Sequence, residues 1–277
     1  MFYDTTPIQE KLAENRDKST YAIVVLTPSE SKRLIGRGVV ALPEGRGVVE
    51  GGLLIVSRGV TPAYIVEELT GDTLPKQNCT SGIIADGRLA GTLSEERLGP
   101  WIFRNGRLVD DSAEAALNEF SSTDVSIKGA NAIDPMGHAG ILVGNSYGGT
   151  IGSIWPALTA RGAHLIQPVS LERLIPSVIE ASFKCGNKLI KYGMGSIVGL
   201  IPVVTSLVVT EIEALAVLTG VTATHVSSGG IGGSEGCVIL ALEGSEDTVT
   251  RAYQLVEGIK GEAPIPAPNL NPVGSNR

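Results

Sequence analysis

The stretch 124–150 constrains the fold most. It reads Asp-Val-Ser-Ile-Lys-Gly-Ala-Asn-Ala-Ile-Asp, then Pro-Met-Gly-His, then a short apolar run into Gly144-Asn-Ser-Tyr-Gly-Gly-Thr150. Val125 and Ile127 alternate with polar neighbours, which is the period of a strand. The strand enters a turn carrying Lys128, Asn131 and Asp134. Ile141, Leu142 and Val143 form a second strand that stops at Gly144, and a helix pattern begins near Thr150. Strand, polar turn, strand, glycine-rich loop and helix in this order point to an α/β protein. Such folds present ligand sites where strand ends feed loops and helix N-termini.

The rest of the chain repeats this alternation. Strands are expected over 21–26, 52–57, 164–169, 205–209, 221–227 and 237–242. Thr27-Pro28-Ser29-Glu30 and Thr210-Glu211-Ile212-Glu213 are capping boxes that start helices, the first with proline at the first helical position. Glu211 and Glu213 read as capping acids. Pro43-Glu-Gly-Arg-Gly is expected to break the first of these helices. A helix over 63–69 follows the tight turn Arg58-Gly59-Val60-Thr61, and further helices are expected over 8–15, 151–161, 171–183 and 246–259. Residues 79–110 differ in character. Asp86-Gly87 and Asn105-Gly106 are hairpin-turn signals, so a β-rich insertion is expected there. Strand–helix alternation implies right-handed crossovers and an open, mostly parallel, Rossmann-like sheet over 20–205. Residues 206–262 form an α-β-β-α module, and 263–277 a flexible tail rich in proline, asparagine and glycine.

Composition excludes several classes of function. The chain has 277 residues and a net charge of −7, which argues against a nucleic-acid partner. Cys79, Cys185 and Cys237 are far apart and no C-x-x-C occurs, so neither a disulfide framework nor a zinc cluster is expected. The N-terminal residues lack an apolar signal core, and the most apolar stretch, 197–209, contains Pro202 and is too short to span a bilayer. A cytoplasmic protein with no membrane partner is expected. No phosphate-loop motif and no G-x-G-x-x-G is present, which disfavours nucleotide hydrolysis and a standard dinucleotide site. No cofactor and no metal are expected, since no histidine has ligand spacing to another His, Cys or acid.

Two segments are similar to a known superfamily. Residues 52–69 look like the first β-α unit of the ribose-5-phosphate isomerase, glucosamine-6-phosphate deaminase and coenzyme A transferase superfamily, with Arg58-Gly59-Val60-Thr61 in the place of its phosphate or acyl-carrier turn. Gly129-Ala130-Asn131-Ala132-Ile133-Asp134 resembles that superfamily's second site strand, and Gly-Ala-Asn-Ala also resembles its lactate-utilisation branch. The resemblance covers about 20–205. It implies a site at strand carboxyl ends and a small anionic ligand, a sugar phosphate or an acyl thioester, in an isomerase- or transferase-like enzyme. The nucleophilic glutamate of the transferases has no evident counterpart.

The candidate catalytic residues are Asp134 as acid or base, Lys128 as charge stabiliser and His138 as a general base near neutral pH. Against this stand a plain Asp134-Pro135 turn, a surface ion pair for Lys128 and a solvent-facing His138. The candidate ligand-binding residues are Arg58, Gly59, Thr61, Asn131, Gly144, Asn145, Ser146, Gly148, Gly149 and Thr150, whose backbone amides and hydroxyls suit an anion. Close packing of strand on helix also selects glycine. The glycine-rich loop 229–236 either approaches a ligand or packs against another subunit. A homo-oligomer is expected. A non-catalytic sensor or a self-assembling protein on the same fold is the competing reading.

Overall fold

The computed structural model describes residues 1–12 and 19–271. In chain order the strands are β1 (Thr20–Leu26), β2 (Leu53–Val56), β3 (Gly82–Ala85), β4 (Arg88–Gly91), β5 (Trp101–Arg104), β6 (Arg107–Val109), β7 (Val125–Ile127), β8 (Ala132–Ile133), β9 (Ala139–Val143), β10 (His164–Pro168), β11 (Gly199–Val203), β12 (Leu207–Val209), β13 (Thr222–Ser228) and β14 (Val238–Gly244). The helices are α1 (Pro28–Ala41), α2 (Pro43–Gly51), α3 (Val60–Thr70), α4 (Ala113–Glu119), α5 (Gly149–Arg161), α6 (Val178–Ser182), α7 (Glu211–Thr219) and α8 (Glu246–Glu257).

The protein is α/β, built on a mixed, mostly parallel six-stranded sheet ordered β12-β10-β7-β2-β5-β6. The first four strands are parallel, and β5 and β6 add antiparallel at one edge. β2 and β7 are buried at every position, and β2 is accordingly a short apolar run. Leu54, Val56, Val125, Ile127 and Ile166 share one face with Leu34, Ile35 and Leu215 from α1 and α7. Leu53, Ile55 and Leu165 share the other with Ile151, Ile154 and Leu158 from α5. α1 lies between α3 and α7. A Cβ on Gly38 would stand 2.5 Å from that of Ala214, so glycine is what lets α1 approach α7 so closely.

A second sheet has the order β1-β14-β13, antiparallel throughout. α7, β13, β14 and α8 form in the expected order, and β1, from the other end of the chain, completes their sheet. A third sheet, β11-β9-β8, sits beyond the carboxyl end of β7. Both capping boxes form. Thr27 and Glu30 exchange backbone-to-side-chain bonds at 2.9 and 3.3 Å, and the Thr210 N–H donates to Glu213 at 2.7 Å. Asp86-Gly87 and Asn105-Gly106 take positive φ in both hairpin turns. Of the expected insertion, β3–β4 stands as its own hairpin, while β5–β6 extends the large sheet.

Several local expectations are corrected. The first helix does stop before Pro43, at Ala41, but Pro43 then starts a further helix, α2, because proline at the first helical position lacks only a donor that would be unpaired there. The helix expected over 171–183 is two pieces, a 3-10 turn at Leu171–Arg173 and the short α6, since Pro176 lies between them. Of the helix expected over 8–15, residues up to Leu12 form a turn and bend, and Ala13, Glu14 and Asn15 lie outside the described residues. In the tail, Leu270 bridges Thr92. Among the described residues, no helix is long and apolar enough to cross a membrane.

Candidate functional site

Strand register brings a polar row together at the carboxyl ends of the parallel strands. Val56 pairs with Ile127 and Ile127 with Ile166. The next residues, Ser57, Lys128 and Gln167, therefore stand side by side, one strand spacing of about 4.8 Å apart. By alternation they share the face of Leu53, Ile55 and Leu165. The Ser57 N–H donates to Ile127 O at 2.9 Å and the Lys128 N–H to Ile166 O at 3.0 Å, which carries the ladder past the strand ends. Ser126 occupies the same face one level below. Ser57, Ser126 and Gln167 are buried. The hydroxyls of Ser57 and Ser126 and the Gln167 amide nitrogen have no hydrogen-bond partner among the described residues, whereas Gln167 Oε1 accepts from Ser206 at 2.5 Å. Buried polar groups are nearly always paired, so three orphans on one face mark the place.

Lys128 is the charged member of the row. Its Nζ reaches only Gly129 O, at 3.4 Å, and it makes no ion pair with a described residue. Part of the residue's surface stays open, yet the ammonium is ringed by protein. Burial, with Arg173 adding repulsion, pulls its pKa down to about 8. Arg173 donates to Ala130 O at 2.7 Å and lies 3.5 Å from Glu172. Glu172 in turn holds Lys32 at 2.7 Å. Burial lowers the Lys32 pKa in spite of that partner. Lys32 and Arg173 thus share Glu172, while Lys128 makes no ion pair with a described residue, in a chain whose net charge is −7. The local excess is positive and partly desolvated, which suits an anion.

Arg173 is held from below. The segment Leu171–Arg173 is anchored by Glu211, which is fully buried at the start of α7 and accepts from the Leu171 N–H at 3.0 Å. Its second oxygen has no partner, and the Ser31 hydroxyl lies nearby but outside hydrogen-bond geometry. Burial pushes the Glu211 carboxyl up, and the bonds from Ser170 and Leu171 offset this only in part. The folded state therefore binds the proton more tightly, and stability falls as pH rises above the ordinary glutamate value. Glu211→Gln keeps the acceptor and removes the charge. It is expected to raise the melting temperature by a few degrees at pH 8 and to leave it nearly unchanged at pH 4, as read by thermal melts across that range.

The expected site residues fall into three groups. The start of α3, which holds Gly59 and Thr61, lies against Gly129, the residue after Lys128. Gly59 caps α3 with no side-chain bond to its free amides, Thr61 is buried in the first turn, and a Cβ on Gly129 would meet Pro62 at 3.4 Å. Arg58 points elsewhere, donating to Leu98 O at 3.2 Å. Asp134 and His138 form a second group. Asp134 Oδ1 accepts from the N–H groups of Met136 and His138, both at 3.0 Å. Its Oδ2 accepts from the Val178 N–H at 2.9 Å and lies 3.1 Å from His138 Nδ1. Asp134 pairs with His138, while the charge acting on Lys128 is Arg173, so the two are not brought together as a pair. Asn131 turns toward β9, where its side chain accepts from the Leu142 N–H at 3.0 Å. Gly144, Asn145, Ser146, Gly148, Gly149 and Thr150 form the third group. They cap α5 as a turn in which Asn145 accepts from Tyr147, and Asn187 bonds Gly144 O and Ser146.

The chain matches no family model, no curated protein and no solved structure. The site is read from its geometry. Among the described residues, no three His, Cys, Asp or Glu are grouped to hold a metal. A cavity of about 200 Å³ opens beside Trp155, Leu158 and Thr205, near the amino end of β10; its lining carries no charged side chain. Arg173, Glu172, Lys32, Ser57, Ser126 and Gln167 were missed by the sequence reading. One signal was present: Ser126 and Gln167 are polar interruptions inside runs that form buried central strands. Arg173 carries no such mark, since it lies in a segment that reads as a surface helix.

Proposed function

We propose that this chain is a Rossmann-like protein of small-molecule metabolism that binds a phosphorylated or carboxylated ligand at the carboxyl ends of β7 and β10, with isomerase- or transferase-type chemistry. The observation that carries this is Lys128. It is a half-buried ammonium that makes no ion pair with a described carboxylate, set in a row of unpaired polar side chains and subject to repulsion from Arg173. Desolvated cations persist where a ligand supplies the counter-charge. The free amides at the start of α3 and the buried Thr61 extend the same anion-favouring surface. The resemblance of residues 52–69 and 129–134 to the sugar-phosphate isomerase and coenzyme A transferase superfamily supports a ligand of this class. The Asp134–His138 pair is the candidate acid–base group.

The test is direct binding. Melting curves with inorganic phosphate, sugar phosphates, 2-oxo acids and coenzyme A esters are expected to show stabilisation by at least one class. Arg173→Gln is expected to weaken that ligand by about tenfold to a hundredfold, the worth of a charge-assisted bond. If no anion shifts the melt, or Arg173→Gln leaves the shift intact, the reading fails. Self-assembly has one observation in its favour. Ile23 and Val25 of β1 are exposed, 58% and 43%, on the outer face of the second sheet. Light scattering that returns a monomer would remove that reading.

A further inference from the structure

Resting on the anion site just proposed, we infer that the Lys128 side-chain amine is a covalent nucleophile that condenses with the carbonyl of a small anionic aldehyde or ketone to form an imine. Three features of the geometry lead there. First, Lys128 makes no ion pair with a described residue, so no carboxylate holds its proton in place. A lysine whose task was only to neutralise charge would gain from such a partner, as Lys32 does from Glu172 at 2.7 Å. Secondly, its neighbours on the same sheet face are the two kinds of group that a carbonyl addition uses. The unpaired Gln167 amide nitrogen is a donor for the carbonyl oxygen, and the unpaired Ser57 hydroxyl can both give and take a proton. Thirdly, Arg173 acts electrostatically on the amine and, among the described residues, has only Ala130 O at normal hydrogen-bond length, which leaves guanidinium donors for the ligand's phosphate or carboxylate. The low pKa of about 8 agrees with this arrangement, since a usable fraction of the amine is then neutral near physiological pH.

The step balances without a further reactant. The neutral Nζ attacks the carbonyl carbon, the N–C bond forms, and the C=O electron pair moves to oxygen. The oxygen takes one proton originating on the amine to give a carbinolamine. The C–O bond then breaks, and the oxygen leaves as water with the second amine proton. A C=N bond to Lys128 remains.

The experiment treats the full chain with glyoxylate or pyridoxal 5′-phosphate, reduces with borohydride and maps the adducts by peptide mass. Lys128 is expected to label at least about tenfold faster than the exposed lysines at pH 7.5, because a usable fraction of its own amine is neutral there. Its rate should level off above about pH 8. Excess inorganic phosphate should slow labelling of Lys128 alone. Lys128→Arg keeps the charge and removes the nucleophile, so it should give no fast adduct. Labelling of Lys128 no faster than that of the other lysines overturns the inference. If phosphate still shifts the wild-type melt in that case, the anion site stands and only the covalent step falls. If phosphate also has no effect, both fall.

Discussion

Replacing Lys128 with methionine is expected to stabilise the protein and abolish anion binding together. The folded state holds this ammonium among protein atoms beside Arg173, with no described carboxylate to offset the desolvation. Its folded pKa of about 8 lies below the unfolded lysine value. Below pH 8 both states carry the proton, and the full destabilisation is present. Between pH 8 and the unfolded value the unfolded chain binds more protons, so wild-type stability rises with pH, and above it the penalty is gone. Methionine matches the stem without the charge. A gain on the order of 1–3 kcal/mol at pH 7, shrinking toward pH 10, is therefore expected from urea unfolding. Loss of phosphate binding in the same variant would mark Lys128 as a residue that serves function against stability. A structural lysine would show the reverse, with stability lost on substitution.

Asp134→Ala should have the largest destabilising effect. The carboxylate is 2% exposed and accepts from the backbone N–H groups of Met136, His138 and Val178 as well as facing the His138 ring. Alanine leaves those amides without an acceptor where the β8–β9 turn meets the start of α6. A loss on the order of 3–5 kcal/mol follows, measurable by urea unfolding at pH 7. Burial alone would raise the Asp134 pKa, but the Val178 and His138 amides and the His138 imidazole together outweigh it and hold the carboxyl below its usual range. Its contribution is thus complete above the ordinary aspartate value and is lost as pH falls through the lower folded one. The difference between wild type and variant should narrow at pH 3. If the variant unfolds at the wild-type midpoint, the turn is not held by this side chain. A catalytic role for Asp134 would then need its own evidence, in turnover lost with the fold intact.

How much of the site could be read from the chain depended on which interactions are local. Thr27 with Glu30 and Thr210 with Glu213 bond within one turn, and the hairpin turns at Asp86-Gly87 and Asn105-Gly106 need only their own φ values. Those features were legible. Lys128 was picked out because a lysine beside Gly129 at a strand end is unusual by local pattern alone. Asp134 was also picked out, but the donors it holds include Val178, far along the chain, so its structural duty was hidden.

The sequence by itself determined the alternation of strand and helix, most element boundaries and the placing of polar side chains at strand ends, because capping, glycine conformations and period-two patterning act over a few residues. Tertiary structure alone decided that β1 pairs with β14, that β5 joins β2 in the large sheet, and that Ser57, Lys128 and Gln167 form one row. Strand pairing is a choice among distant segments of similar apolar character, and no local signal makes it. The same choice brings Arg173 rather than an acid to Lys128. It makes Lys128 a half-buried amine without a described carboxylate partner.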